Sequence, residues 1–146
     1  MAEEKIAGIM RDFVKVFSDG DVEKGLSHLA DDATWSSPMG TARGKAEIRR
    51  VFEGMIRSTP EMKVTECGLG IIARGDKAFF EHELSGTFQG KKWEVLAMCA
   101  YEFSGDKIKN VRSVYDRLSM AQQVVTGWFA TKAVNSIINN MEKGMR

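Results

Sequence analysis

Between residues 62 and 116 the chain keeps a two-residue rhythm through four long runs, about 62–73, 77–88, 92–103 and 107–116. Alternation of apolar and polar side chains is the mark of a strand with one face buried. The joints are short: ARGDK, FQGKK and SGDK each hold a glycine where a tight reversal needs positive φ. These runs predict an antiparallel meander, and strands of that length favour a strongly curved sheet. Gly68 and Gly70, inside the first run, mark a bulge or bend. A curved sheet has a concave face that something must fill, and this requirement organises the rest of the chain.

Helices are the available filling. Ile6, Ile9, Met10, Phe13, Val14 and Phe17 fall at three- and four-residue spacing, which predicts an amphipathic helix over 4–18. SDGD ends it, and Asp21 is placed to cap a shorter helix running to about Leu29. TWSSP reads as a short extended piece stopped by Pro38, followed by loop. A third helix is expected over 45–58, with Ile48, Val51, Phe52, Met55 and Ile56 facing inward. Helical material returns from 118 to about 143. Met120, Ala121, Val124, Val125 and Trp128 form one apolar group; beyond Gly127, Val134, Ile137, Ile138, Met141 and Met145 form another. The expected fold class is α+β: a cone-shaped curved antiparallel sheet wrapped around N-terminal helices, with an extra C-terminal helix. One domain spans 1–146, with 127–146 as its helical extension, and a pocket is expected between helices and sheet.

Composition removes several function classes. The net charge is +1, from 21 basic and 20 acidic residues without a basic stripe, so no nucleic-acid partner is expected. The segment MAEEKIAGIMRDFVKVF carries early acids and no continuous apolar run, which argues against a secretory signal or a membrane span. A cytoplasmic location is the expectation, and the two cysteines, Cys67 and Cys99, are expected to be free thiols. Two histidines and two cysteines lie scattered without ligand spacing, so no metal is expected. No glycine-rich phosphate loop or GxSxG elbow is present, and no cofactor is expected. RGD at 74–76 reads as hairpin-turn chemistry.

Strand parity selects candidate site residues. Phe80, His82, Leu84 and Phe88 share one face of the second run, and the apolar face should be concave, which puts His82 in the pocket. In the last run Val114 and Asp116 share one face and Val111, Ser113 and Tyr115 the other; alternation alone leaves the inner face there undecided. Asp116 reads either as a general acid/base, its charge disfavoured by an apolar cavity, or as the cap of the final helix. His82 reads either as a proton-sharing partner of Asp116 or as a core histidine bonded to backbone. Trp35, Met39, Trp93, Met98, Cys99 and Tyr101 are candidates to line the pocket with Phe80 and Leu84; Cys99 has no activating neighbour in sequence and reads as an inert thiol. Apolar side chains on the outer sheet face favour a homodimer formed through it.

LADDATWSSPMG followed by GKAEIRRVF, and YEFSGDKIKNVRSVYDRLSMAQQV, resemble segments of the nuclear-transport-factor-2-like superfamily, over about residues 4–126. The resemblance implies the cone fold, and it is nearest to the SnoaL-like polyketide cyclases and ketosteroid isomerase-like proteins. Positions where ketosteroid isomerases carry their tyrosine and two aspartates match Phe13, Ser37 and Cys99, so that mechanism loses its groups. The aspartate–arginine–aspartate set of limonene epoxide hydrolase matches Leu84, His82 and Asp116, retaining one of three. The acid/base aspartate of SnoaL-type cyclases matches Asp116, and a histidine of theirs matches Cys99. The resemblance therefore places Asp116 inward, with Val114 on the same face, and Phe13 against the pocket. The expected function is acid/base chemistry on a small hydrophobic carbonyl compound, in the manner of a cyclase, isomerase or hydrolase, with Asp116 as proton carrier and His82 beside it. The alternative is a ligand-binding or assembly module without chemistry.

Overall fold

The computed structural model describes residues 2–145. Its N-terminal helices are α1 (Glu3–Val14), α2 (Val16–Asp19) and α3 (Val22–Ser27), followed by strands β1 (Leu29–Ser37) and β2 (Gly40–Arg43) and helix α4 (Gly44–Ser58). The meander comprises β3 (Lys63–Arg74), β4 (Lys77–Phe88), β5 (Lys91–Ser104) and β6 (Lys107–Tyr115); α5 (Arg117–Val124) and α6 (Trp128–Glu142) close the chain. A single six-stranded sheet runs β2-β1-β6-β5-β4-β3. All its pairings are antiparallel except β1 with β6.

The expected α+β cone is present, with two additions. The segment around TWSSP is a full hairpin, β1 with β2, rather than a short extended piece and a loop. Pairing with β6 accounts for the difference, because a strand edge left open by the meander accepts β1. The first helix is also broken: Lys15 separates α1 from α2, and Gly20, at φ 72°, ends α2 in the left-handed region.

Curvature comes from β3. Its register with β4 shifts between Glu66 and Ile71, around Gly68 and Gly70 at φ 55° and 61°. A Cβ on Gly68 would stand 2.3 Å from the Glu81 carboxyl, which accepts the Leu69 N–H at 2.8 Å, so only glycine fits that bend. The concave face is filled by Ile6, Met10 and Phe13 of α1 and by Ile48 and Phe52 of α4. Phe52 meets the rings of Phe13, Phe17 and Trp35 at centroid distances of 5.4–5.7 Å, joining helices to sheet.

At its other end β6 stops at Tyr115, which pairs with Ala97, so β5 continues past it. Gln123 of α5 lies along that stretch. Its Oε1 accepts the Glu94 N–H and its Nε2 donates to the Glu94 carbonyl, both at 2.9 Å. No helix among the described residues is long and apolar enough to cross a membrane.

Candidate functional site

The helices do not fill the cone completely. A partly open, mostly apolar cavity remains, walled by Phe13, Phe17, Trp35, Met39, Met55, Met62, Val64, Leu84, Val111 and Tyr115, with His82, Cys99, Tyr101 and Ser113 on the sheet side. Its volume is about 30 Å³, room for about two water molecules. Three of its wall residues are methionines, whose unbranched side chains repack readily.

The polar groups form one connected set on the inner faces of β4, β5 and β6. His82 is 3% exposed, and its ring stacks on Phe80 with centroids 4.4 Å apart. Its Nδ1 lies 3.2 Å from the Phe80 carbonyl oxygen. A carbonyl can only accept, so Nδ1 carries the hydrogen and Nε2 presents a lone pair. Burial pushes the His82 pKa down, which keeps the ring neutral. Nε2 lies 4.0 Å from the Cys99 sulfur, and that thiol donates to Ser113 Oγ at 3.1 Å. Ser113 Oγ also accepts the indole N–H of Trp35, at 3.0 Å. Both lone pairs of the Ser113 hydroxyl are thus occupied, and its own hydrogen remains to be donated.

Desolvation acts the same way on the other titratable groups. Burial pushes the Cys99 thiol up to about 11 and raises Tyr101 well above its ordinary range; half-buried Tyr115 is also raised. Near neutral pH the cavity therefore contains no net charge. It offers a basic nitrogen on His82 and a hydroxyl donor on Ser113.

Of the residues expected at the site, His82, Phe13, Trp35, Met39, Leu84, Cys99 and Tyr101 reach the cavity. Asp116 does not line it. The residue is exposed, and its carboxylate caps α5 by accepting the Ser119 N–H at 2.9 Å. Val114, on the same face of β6, is 62% exposed, and Met98, paired with it, also faces outward. Phe80 is buried but lies beneath His82, bordering a shallow surface groove with Arg11 and Lys15. One cause moves Val114 and Asp116 outward. The β5–β6 register shifts by one residue between Glu102 and Phe103, so Phe103 pairs with Ile108 while Cys99 pairs with Ser113. Continuing the phase of buried Ile108 would bring Val114 and Asp116 inward; the bulge brings in Val111, Ser113 and Tyr115 instead. Phe17, Met55, Met62, Val64, Val111, Ser113 and Tyr115 are wall residues that sequence reading missed, and Trp93, buried against Gly86, is not in the wall. Among the described residues, no group of three or more His, Cys, Asp or Glu side chains is placed to hold a metal ion.

Residues 10–111 match the family model of the SnoaL-like domain. The chain belongs to the SnoaL-like domain family. The match runs from α1 into β6 and thus includes the helices and strands that enclose the cavity, except for Ser113 and Tyr115. Solved structures of the same fold agree. A nuclear-transport-factor-2-like protein of unknown function from Burkholderia pseudomallei superposes with a TM-score of 0.74 at 18% identity, over 86% of this chain and 100% of that one. A hypothetical protein of ketosteroid isomerase-like fold from Catenulispora acidiphila, solved in complex with trimethylamine, gives 0.73 at 18% identity, over 79% and 90%. IdmH, a putative polyketide cyclase from Streptomyces antibioticus, gives 0.72 at 19% identity, over 82% and 97%. This SnoaL-like domain carries α5 and α6 beyond the matched residues.

Proposed function

We propose that this SnoaL-like domain binds a small, uncharged, largely apolar carbonyl compound in the cavity between α1, α4 and the sheet, and that His82 moves a proton on it. The observation that carries this reading is the pairing of a neutral His82 Nε2 lone pair with the free hydroxyl hydrogen of Ser113, both beside the Cys99 sulfur in an apolar cavity. His82 Nε2 takes a proton from the carbon next to the carbonyl. The carbonyl oxygen gains the negative charge and receives the Ser113 hydrogen bond. The imidazolium so formed returns its proton at the original carbon, at a conjugated carbon, or at an alkoxide formed when the enolate carbon attacks a second carbonyl. These outcomes are exchange, isomerisation and ring closure. An apolar cavity suits the first step because the resting histidine is held neutral by the same burial. In this reading His82 takes the proton-carrying role that the resemblance assigns to Asp116, and Asp116 remains with α5. The wall methionines shift to admit a ligand larger than the resting cavity.

The test is deuterium exchange at the α-carbon of a panel of hydrophobic ketones and 1,3-diketones, followed by NMR in heavy water. Exchange above the buffer rate is expected with wild type, reduced about 10²–10⁴-fold in His82→Gln and to a smaller extent in Ser113→Ala. Full exchange in His82→Gln would overturn the assignment. A second reading, a binding module without chemistry, is favoured by the small resting volume of the cavity. It predicts saturable binding of the same ketones with no exchange.

A further inference from the structure

The cavity as it stands holds about two water molecules, so a ligand enters only where the wall gives way. Methionines are the wall residues best able to move. Met62 is buried and takes the Thr59 hydroxyl on its sulfur at 3.8 Å, and Met55 is half-buried on α4. Met39 differs from both. It is 54% exposed, whereas every other wall residue is buried or half-buried.

The β1–β2 hairpin sets the place of Met39. Ser37 pairs with Gly40, so Pro38 and Met39 form the tip of a hairpin at the edge of the sheet. Gly40 has φ 125°, and a Cβ there would meet no atom within 4 Å, so the tip borders open space. Inside the hairpin the Met39 N–H donates to Ser37 Oγ at 3.2 Å. Among the described residues, the tip's one hydrogen bond outside the hairpin comes from Arg117 of α5, whose Nη1 donates to the Pro38 carbonyl at 3.0 Å. A surface cleft of about 240 Å³ lies between the hairpin and α4, walled in part by Ala42, Arg50 and Val51. Trp35, Ser37 and Met39 line both this cleft and the cavity, and so form the partition between them. Trp35 is fixed by its bond to Ser113 and by the rings of Phe17 and Phe52. Met39 is the movable part.

We propose, resting on the reading of the cavity as a ligand site, that the Met39 side chain is its door. It swings outward to admit an apolar ligand from the cleft between the hairpin and α4, and Arg117 governs the opening by holding Pro38. A rival opening lies where Val14 and Val64 border the shallow groove over Phe80. Arg11 spans that groove, its Nε and Nη2 donating to the two Glu66 carboxylate oxygens at 2.9 and 3.1 Å, and Lys15 and Lys63 line it as well. An apolar molecule entering there would strip water from charged groups and part a two-pronged ion pair. Rotating an exposed methionine requires neither.

Cys99 reports access without any carbonyl chemistry, because its thiol lies in the cavity wall. In a Cys67→Ser background, which leaves one thiol, labelling of the native chain by methyl methanethiosulfonate, a small uncharged reagent, is followed by intact mass. Met39→Ala should raise the rate by about ten-fold or more and Arg117→Ala by about three-fold, as expected when a local opening becomes easier. Met39→Trp should lower it, and Arg11→Ala should leave it within about two-fold of wild type. Urea melts of the same proteins give their unfolding free energies. A rate indifferent to Met39, one raised more by Arg11→Ala than by Met39→Ala, or one that simply tracks global stability across the variants overturns the door. If Met39 governs labelling and no ketone exchanges, the door stands and the proton-transfer reading falls.

Discussion

Replacing Ser113 by alanine tests the polar set in the cavity without reference to any substrate. Trp35 is 8% exposed and its N–H has Ser113 Oγ as acceptor at 3.0 Å. Removing the hydroxyl leaves that N–H and the Cys99 S–H facing an apolar wall. An unsatisfied buried donor costs about 1–3 kcal/mol, which for a domain of this size lowers the melting temperature by about 2–10 °C. Trp35→Phe removes the donor together with part of a ring in contact with Phe17 and Phe52, so it also destabilises, by packing. The informative quantity is the coupling. Once the indole N–H is gone, Ser113→Ala should cost little more, so the double variant should be more stable than the sum of singles by about 1–2 kcal/mol. Urea denaturation of the four proteins measures it. Additivity within about 0.5 kcal/mol would show that the indole is not bonded to Ser113. The hydroxyl hydrogen would then lose its assigned role, and so would the enolate-stabilising part of the proposed chemistry.

Other consequences follow from burial and capping. The His82 pKa is depressed by burial, so between its folded and unfolded values the unfolded chain binds the extra proton. Its contribution is therefore present above about pH 6.5 and lost as pH falls below it, with a slope of at most about 1.4 kcal/mol per pH unit. Urea titrations from pH 8 to pH 5 should show this fall, flattened in His82→Gln but not abolished, because burial also depresses His28. Asp116→Ala should cost about 1 kcal/mol through loss of the α5 cap, and Asp116→Asn much less. In neither variant should the ketone exchange rate change; a loss of exchange in Asp116→Asn would return the proton to that carboxylate. Cys99, 6% exposed and with its thiol pushed up to about 11, should resist a disulfide reagent in the native state and react after unfolding. Native reaction of both cysteines at equal rates would contradict the burial of Cys99.

The sheet was legible because its signals are local. Alternation in β4 placed His82 and Leu84 inward correctly, and the turn glycines located the hairpins. The concave filling by α1 and α4 followed from their apolar stripes. What failed depended on a single non-local irregularity. Alternation read without the bulge opposite Glu102 and Phe103 leaves the inner face of β6 open, and the resemblance then chose the face carrying Asp116. Met98 faces outward because Cys99, its neighbour in the same alternating strand, faces in. The β1–β2 hairpin escaped notice for a similar reason. Its partner strand β6 is about 80 residues away, as in the Trp35–Val111 pair, and no local pattern announces that pairing.

Gln123 has a consequence for the behaviour of the chain in a crowded solution. Past the end of β6 the backbone of β5 would display a free N–H and carbonyl at Glu94, the template on which a foreign extended segment adds itself as a further strand. One amide side chain answers both groups and makes that template unreadable. A chain with Gln123→Ala would be expected to keep its native circular dichroism yet lose colloidal stability, recruiting other extended chains at the uncovered edge. In this protein a single glutamine on a short helix separates a finished sheet from one that keeps growing.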